Sequence, residues 1–331
     1  MKWKILELLE NHSGEFISGE NIASSLGITR AAVWKSVKSL QNEGYKIQAV
    51  KNRGYSLLID ESKLSRNRIA KNLSQNSKII DIICLDSVDS TNNYARELAT
   101  SGASHGTLVA ADRQTAGKGR YGHTFESPAG TGLYMSLVLK PKVEISKFQM
   151  ITIADAVAVC RAIEDLYGES KGELKIKWVN DIFFHGKKIT GILTEAVTNF
   201  ESGEIESVVT GIGVNVSTQK FNDAGDIAGS IFGDGEEIFS RNELCAKIAD
   251  YVMSFAENLD APELIEAYRE RSLLKSGEKI SYMKNDEIFT ATVKAIDDSG
   301  GLVILNEKGE EEILRSGEVS TVRAAGDRVR K

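Results

Sequence analysis

Apolar side chains recur with a helical period over the first 43 residues of the chain. Ile5 and Leu9 lie one turn apart and predict a short helix over residues 3–10. Ser18 is a residue type that caps helices, so a second helix is expected to follow it. The pattern predicts a third helix over residues 30–43, with its core-facing positions at Val33, Val37 and Leu40.

The connections between these segments carry residues typical of turns and caps. Gly27 can supply the left-handed conformation of a tight turn, Thr29 can cap the third helix, and Gly44 can end it. Beyond Gly44 the apolar period changes to alternation, which predicts strands over 46–50 and 55–58 joined by a turn. Helix, helix, glycine turn, helix and hairpin together are the pattern of a winged helix-turn-helix.

The middle of the chain predicts strands with only a few helices between them. Strands that run into hairpin-like neighbours are typical of an α+β domain with a largely antiparallel or mixed sheet, not of a doubly wound parallel one. The predicted elements are strands over 78–86, 107–112, 132–140, 174–179, 189–196 and 205–216, and helices over 66–73, 92–99 and 151–167.

The end of the chain contains five short strand patterns separated by turn sequences, which predict a small β-barrel of SH3 type. A polar stretch over 60–65 suits a linker between the winged helix and the middle of the chain. The expected domains are therefore residues 1–62, 63–273 and 274–331. The five C-terminal strands are predicted over 279–282, 289–296, 302–305, 312–314 and 319–322.

Charge separates the N-terminal segment from the rest of the chain. The 331 residues carry 41 Lys and Arg against 47 Asp and Glu, a net charge of −6 that excludes a globally basic nucleic-acid-binding protein. Residues 29–55 nevertheless hold six basic residues and one acidic residue. Each base alone is also typical of a solvated face, but their position after a tight glycine turn favours double-stranded DNA. The predicted DNA-binding residues are Arg30, Ala31, Trp34, Lys35, Lys38, Lys51 and Arg53.

Two further features bear on the compartment. No segment approaches the roughly 20 apolar residues that span a bilayer, and Glu7 and Glu10 interrupt what would be the apolar core of a signal peptide. The cysteines Cys84, Cys160 and Cys245 are far apart and odd in number, which is typical of reduced thiols. We therefore expect a cytoplasmic protein without a membrane partner.

Polar and charged residues cluster at five places in the middle of the chain. The glycine-rich loop 117–122 opens no helix and lacks the ending of a Walker loop, so it either presents Lys118 and Arg120 to an anion or is an ordinary hairpin loop. Lys188, at the edge of a buried strand, is a candidate for polarising a carboxylate or a phosphate. The other clusters are residues 89–92, 177–181 and 211–215.

Taken together, the five clusters resemble the motifs of one family, the biotin–protein ligases. In this sequence they read DSTN at 89–92, QTAGKGR at 114–120, KWVND at 177–181, KKITGIL at 187–193 and GIGVN at 211–215. With the N-terminal winged helix, the resemblance covers nearly the whole chain and is to the bifunctional bacterial form, which also represses the biotin operon. It implies a central domain related to class II aminoacyl-tRNA synthetases.

The resemblance implies a role for each matching residue. Lys188 and Arg120 would be catalytic, and Asp181 would hold Mg²⁺. Phe125 stands where the family usually has Trp beside the adenine, and Val179 stands where it has Pro. The residues expected at biotin are Ser90, Thr91, Asn92, Gln114, Lys118, Gly119, Arg120 and Lys188. Those expected at ATP or the adenylate are Gly117, Phe125, Asn180, Asp181, Gly211, Gly213 and Asn215.

The activity implied by the resemblance uses ATP and Mg²⁺ to convert biotin into biotinyl-5′-AMP. Biotin is then transferred to a lysine of a biotin carboxyl carrier protein. Loops 115–127 and 216–229 would order over the intermediate, and the adenylate-bound homodimer would bind operator DNA. Two alternatives stay open. A repressor that only senses a ligand would not need the cation pair Lys188 and Arg120. A lipoate ligase would not need the ring partners Ser90, Thr91 and Gln114.

Overall fold

The computed structural model describes the chain except for residues 13, 43–44, 59–62, 141–146, 199–204, 222–226, 234, 285–286, 318 and 322–331. Contacts within the described part divide it into two compact units, residues 1–71 and 72–331. The domain boundaries expected at residues 62 and 273 stay predictions. The predicted helix end at Gly44, residues 60–62 of the linker, residues 222–226 of the second loop and the strand end at 322 lie outside the described residues.

The first unit confirms the predicted order of elements. Ser18 caps the second helix by accepting a hydrogen bond from Asn21 N, and Gly27 ends that helix in the left-handed conformation with φ 63°. Thr29 Oγ1 accepts from Ala32 N at 3.2 Å, as expected of the cap of the third helix. The elements are α1 (Lys2–Asn11), α2 (Gly19–Leu26), α3 (Arg30–Asn42), β1 (Ile47–Val50), β2 (Gly54–Leu57) and α4 (Arg66–Asn72).

The core of this unit contains the predicted apolar positions of α1 and α3. Ile5, Leu9, Val33, Val37 and Leu40 are all buried in it. Strands β1 and β2 form the antiparallel hairpin of the wing. The apolar residues that predicted these helices therefore lie on the helix faces that pack in the core.

The described part of the second unit contains a mixed sheet of seven strands with four α-helices beside it, followed by a smaller C-terminal sheet. The strand order is β3-β4-β5-β9-β8-β7-β6, in which only the β3–β4 pair is parallel. The elements are β3 (Asp81–Leu85), α5 (Thr91–Thr100), β4 (Thr107–Ala111), β5 (Gly132–Leu139), α6 (Phe148–Leu166), β6 (Lys175–Lys177), β7 (Asp181–Phe184), β8 (Lys187–Thr198), β9 (Ile205–Asn215), α7 (Arg241–Ala256) and α8 (Pro262–Arg271). The α+β fold with a mixed central sheet is confirmed.

Several elements of this unit differ from the prediction. Helices α7 and α8 were not predicted, although Ser240 forms a capping box with Glu243 before α7 and Pro262 opens α8. The strand predicted over 174–179 is only the three residues of β6, because the chain turns at residues 178–180 and returns as β7. The first strand begins at Asp81 and not at residue 78. No helix in the described part of the chain is long and apolar enough to cross a membrane.

The five predicted C-terminal strands form an antiparallel sheet in the order β13-β12-β11-β10-β14. The turn between β11 and β12 contacts the central domain, since Gly300 O accepts from Trp178 Nε1 at 2.9 Å and from Gln149 Nε2 at 2.7 Å. These hydrogen bonds hold the C-terminal sheet beside Trp178, the residue that follows β6. The strands are β10 (Lys279–Lys284), β11 (Glu287–Ile296), β12 (Leu302–Asn306), β13 (Glu311–Leu314) and β14 (Val319–Thr321).

Candidate functional site

Two adjoining cavities lie over the middle strands of the mixed sheet. The smaller, of about 290 Å³, is bounded by the start of α5 and by strands β8 and β9. The larger is an open cleft of about 810 Å³, solvent included, between the glycine-rich loop, the β6–β7 turn and the start of β8. Phe125, Lys118, Gly191 and Leu193 line both cavities, so the two are parts of one site.

The small cavity has a polar wall at the start of α5. Ser90 occupies the N-cap position of this helix but makes no side-chain capping bond, which differs from the simple capping role that its position suggests. Gln114 Oε1 accepts from Thr91 N at 2.8 Å, and Gln114 Nε2 donates to Ser127 Oγ at 2.9 Å. Ser90 and Thr91 are almost completely buried. The wall therefore presents hydroxyl and amide groups in fixed positions, with no charged side chain of its own.

Glycines on β8 and β9 make room for the opposite wall. A Cβ atom at Gly211 would lie 1.9 Å from Asn92 Oδ1, and one at Gly213 would lie 2.6 Å from the ring of Phe125. A Cβ atom at Gly191 would lie 3.2 Å from the same ring, which is also a tight contact. Side chains at these positions would overlap the groups that shape the cavity, which accounts for the glycines of the sequence clusters 187–193 and 211–215.

Phe125 separates the two cavities. Its ring packs edge-on against the buried Tyr134, with 6.3 Å between ring centroids. Burial raises the pKa of the Tyr134 phenol, which stays protonated and donates to Pro128 O at 2.9 Å. This contact with a buried, hydrogen-bonded ring fixes the wall between the cavities.

Cations dominate the larger cleft. Among the described residues, Lys118, Arg120, Lys177 and Lys188 line it together with one carboxylate, that of Asp181. A cleft with this excess of positive charge suits an anionic ligand and charge that develops during phosphoryl transfer.

The side chains of the cleft hold one another. Lys188 Nζ lies 2.7 Å from Asp181 Oδ1, and Arg120 Nη1 donates to Asn180 Oδ1 at 3.1 Å. The peptide bond Trp178–Val179, in the turn that carries Asn180, is cis. These contacts fix the direction of both cations relative to the β6–β7 turn.

The C-terminal sheet completes the rim of the cleft. Gly317, Val319 and Ser320 line it together with residues of the glycine-rich loop. Arg120 stacks on Tyr121, with 5.1 Å from the guanidinium carbon to the ring centroid. No local pattern in the sequence predicts these C-terminal residues at the cleft, because their approach depends on how the two sheets pack.

Most of the predicted site residues come together, and two lie outside the cavity walls. Asn215 Nδ2 donates to Gly229 O at 3.0 Å and so ties the end of β9 to the loop that follows it. Gly117 is buried against Phe125 O and the side chains of Gln114 and Ser127. The predicted residues that line a cavity are Ser90, Thr91, Asn92, Gln114, Lys118, Gly119, Arg120, Phe125, Asn180, Asp181, Lys188, Gly211 and Gly213.

The predicted DNA-binding residues form an exposed surface on the first unit. The α3 positions share one face of that helix, and the large apolar side chain of Trp34 is 57% exposed there. On the wing, the guanidinium carbon of Arg53 lies 4.1 Å from the centroid of the Phe16 ring, and Arg30 lies 3.6 Å from Glu20. The exposed residues are Arg30, Ala31, Trp34, Lys35, Lys38, Lys51 and Arg53.

Three segments match known protein families. Residues 84–215 match the biotin/lipoate A/B protein ligase family, and residues 276–322 match the biotin protein ligase C-terminal domain. Residues 3–56 match a helix-turn-helix domain. The match to the ligase family spans all the residues that line the small cavity and most of those that line the larger cleft.

The chain is also similar to whole proteins of this kind. It is 34% identical over 318 residues to the bifunctional ligase/repressor BirA of Bacillus spizizenii, covering 93% of this chain and 95% of that one. It is 42% identical over 215 residues to the BirA of Bacillus subtilis, 65% of either chain. A solved structure of a biotin protein ligase from Aquifex aeolicus with biotin and ATP has a TM-score of 0.59 and 27% identity, covering 74% of this chain and 99% of that one.

Proposed function

Because this chain belongs to the bifunctional ligase/repressor family of biotin protein ligases, we propose that its two joined cavities are the site at which it activates biotin. The chain is an ATP-dependent biotin–protein ligase that also carries a helix-turn-helix domain. The assignment of the site rests on one observation. A cavity with one wall of neutral hydrogen-bonding groups, at the start of α5, meets a cation-lined cleft at Phe125, as a neutral ring and an anionic nucleotide require.

The reaction has two steps. An oxygen of the biotin carboxylate attacks the α-phosphorus of ATP, which forms biotinyl-5′-AMP and expels pyrophosphate. The ε-amine of a lysine then attacks the carbonyl carbon of this mixed anhydride, forms an amide, loses a proton and releases AMP. Both partners in the first step are anions, so fixed positive charge lowers its barrier.

The small cavity takes the ring system of biotin against Ser90, Thr91 and Gln114. Lys188 and Arg120 stabilise the carboxylate and the α-phosphate where the two cavities meet. Lys118 and Gly119 belong to the loop that covers the intermediate and keeps water from hydrolysing it. Phe125 lies between the ring system and the nucleotide, and Asn180 contributes to the nucleotide side.

Mg²⁺ fits the nucleotide side through Asp181. The carboxylate of Asp181 faces the cleft, and Mg²⁺ in nucleotide sites is commonly bound by one or two carboxylates together with phosphates and water. The ion would neutralise part of the phosphate charge. The protein alone already pairs Asp181 with Lys188, so this carboxylate is held towards the cleft before any nucleotide binds.

The partners follow from the two activities. The acceptor is a lysine of a biotin carboxyl carrier protein, and the exposed face of α3 with the wing binds double-stranded operator DNA. The adenylate-bound chain acts as a homodimer, since a helix-turn-helix dimer reads two half-sites. The odd number of widely separated cysteines in the sequence supports a cytoplasmic location.

Exchange of labelled pyrophosphate into ATP tests the enzymatic assignment. We expect exchange that depends on biotin and is not supported by lipoate. A chain that binds biotin without exchange would be a ligand-sensing repressor. A chain that exchanges with lipoate and not with biotin would be a lipoate ligase.

A further inference from the structure

A chain of buried hydrogen bonds runs beneath the small cavity from β8 to the start of α5. Asn92 Nδ2 donates to Glu195 Oε2 at 2.8 Å and to Leu193 O at 3.1 Å. Ser136 Oγ, on β5, lies 2.7 Å from Asn92 Oδ1 and 2.8 Å from Thr91 Oγ1. Ser136 is completely buried, and Asn92 and Thr91 are nearly so. Only Thr91 and Asn92 of the three also line the cavity.

The orientation of the Asn92 amide is fixed by its partners. A carboxylate and a backbone carbonyl can only accept, so both amide hydrogens of Asn92 must face Glu195 and Leu193. The amide oxygen therefore faces Ser136. No side chain could fit behind it, because a Cβ atom at Gly211 would lie 1.9 Å from that oxygen. Both hydrogens of Asn92 are used within the protein.

The fixed amide sets the direction of the remaining bonds. Asn92 Oδ1 carries no hydrogen, so the Ser136 hydroxyl must donate to it. Ser136 has no second hydrogen, so its 2.8 Å contact with Thr91 requires the Thr91 hydroxyl to donate. Gln114 Oε1 accepts from Thr91 N at 2.8 Å and also lies 3.1 Å from Thr91 Oγ1, but the Thr91 hydroxyl has a single hydrogen, which the shorter contact with Ser136 uses. The Thr91 oxygen therefore keeps lone pairs for the cavity and has no hydrogen left to give.

We propose that Ser136 is a positioning residue which, oriented by Asn92 and Glu195, presents Thr91 Oγ1 to the small cavity only as a hydrogen-bond acceptor. The site then selects a ligand that carries an N–H group at that place. This inference rests on the proposed function. The cyclic urea of biotin has an N–H on each side of its carbonyl, whereas the dithiolane of lipoate has none.

Replacing Ser136 releases the Thr91 hydroxyl. In Ser136→Ala this hydroxyl has lost its acceptor and can turn its hydrogen towards Gln114 or the ligand. We expect the KM for biotin in pyrophosphate exchange to rise by roughly three- to tenfold, the loss typical of one hydrogen bond, with kcat unchanged. A KM change without a kcat change is the signature of lost ligand binding and not of a displaced catalytic group.

A ligand analogue gives a sharper readout. In the cyclic carbonate analogue of biotin, oxygen replaces both urea N–H groups, so the analogue faces Thr91 with an acceptor. We expect the wild type to prefer biotin strongly in competition experiments, and Ser136→Ala to lose roughly tenfold of that preference because its Thr91 hydroxyl can donate. A general loosening of the fold would weaken both ligands together and leave the preference unchanged.

Ser207→Ala is the matched control. Ser207 is a buried serine on β9, and its hydroxyl has no hydrogen-bond partner within the described part of the chain. We expect wild-type KM and wild-type preference in this variant. If Ser136→Ala does not fold, Ser136→Cys serves in its place. Its thiol is a weak donor and acceptor, so the preference should shift in the same direction.

Two results overturn the inference while leaving the ligase assignment intact. One is an active wild type whose preference for biotin over the carbonate survives Ser136→Ala unchanged. The other is an equal loss of preference in Ser207→Ala. Absence of biotin-dependent exchange in the wild type would overturn the proposed function, and this inference with it.

Discussion

Single residues set the charge of the cleft, and Lys188 is the most exacting test among them. It lies at the start of β8, where its ammonium group pairs with Asp181 and points into the cleft. We expect Lys188→Ala to lower the rate of pyrophosphate exchange by roughly 10²–10³-fold, the usual effect of removing one fixed donor from a developing anion. Lys187→Ala is the control, because Lys187 is the adjacent exposed lysine. Equal exchange rates in Lys188→Ala and Lys187→Ala would show that Lys188 is not catalytic.

A second residue governs stability and not chemistry. Asp155 on α6 is completely buried, and burial raises the pKa of its carboxyl to about 7 although Thr210 donates to it. In the unfolded chain the carboxyl titrates near 3.8. Between these values the folded protein holds a proton that the unfolded chain has lost. This group therefore lowers the free energy of unfolding as pH rises through that window.

Asp155→Asn keeps the shape of the side chain and removes the titration. We expect its free energy of unfolding, measured in urea, to fall less than that of the wild type between about pH 4 and about pH 7. The comparison cancels every other titrating group common to both proteins. An equal fall in the two proteins would show that Asp155 titrates alike in the folded and unfolded chains.

The local sequence predicted which residues meet at this scale better than it predicted how they are held. The motif residues Lys118, Arg120 and Lys188 reach one cleft, as the resemblance implied. The partners Ser136 and Glu195 carried no signal. Their contacts with Asn92 depend on the register of β5 and β8 against α5, which no short stretch of sequence determines.

At the scale of elements, the β11–β12 turn connects the C-terminal sheet to the central domain. Gly300 in this turn has φ +80°, and a Cβ atom there would lie 2.0 Å from Cδ1 of the buried Ile153. Gly309 has φ +76° in an open turn, with nothing within 4 Å. The two glycines therefore share the backbone strain that a side chain would cause and differ in the space available.

We expect Gly309→Ala to cost about 1–2 kcal/mol of unfolding free energy from backbone strain alone. Gly300→Ala should cost about 1–3 kcal/mol more from overpacking, and should also raise the KM for ATP because C-terminal residues line the cleft. Urea unfolding and exchange kinetics measure both effects. Matching stability and matching ATP dependence in the two variants would mean that the turn does not position the sheet.

The recognition helix gives the prediction for DNA. Lys35 is exposed on α3, and Lys4 is also exposed, on α1 and outside the predicted DNA face. We expect Lys35→Ala to reduce the slope of log affinity against log salt by roughly 0.9, the value for one phosphate contact, and Lys4→Ala to leave it unchanged. Fluorescence anisotropy over a salt series measures the slopes. The same slope in wild type and Lys35→Ala would place Lys35 off the phosphate backbone.

Helices and strands with a regular spacing of apolar residues could be predicted from the sequence. Elements that depend on contacts with residues far away in the chain were predicted less well. The helices α1 to α3, the wing and the five C-terminal strands follow from caps, apolar spacing and turn residues. The helices α7 and α8 were harder to recognise, because their apolar spacing is less regular than that of the strands. The local signals for them are the residues at their first turns, Ser240 and Pro262. Strand β7 is short and follows a tight turn, so period alone does not separate it from β6.

The whole molecule combines two activities in one chain. The predicted DNA-binding face lies in the first unit, and both cavities lie in the second. In the proposed scheme biotinyl-5′-AMP is both the intermediate of the ligase and the signal for repression. Linkage then requires that the DNA-bound dimer holds the adenylate more tightly than the free monomer does. Plentiful acceptor protein would consume the adenylate and relieve repression.

The most direct test of this account is the mass of what the chain retains after reaction. The wild type is incubated with biotin, ATP and Mg²⁺, freed of small molecules by rapid gel filtration, denatured and analysed by mass spectrometry. We predict biotinyl-5′-AMP at about one molecule per chain, none when ATP is omitted, and a large loss in Lys188→Ala. Retention of unmodified biotin, with no adenylate in the presence of ATP, would contradict the assignment of this cleft as the site of activation.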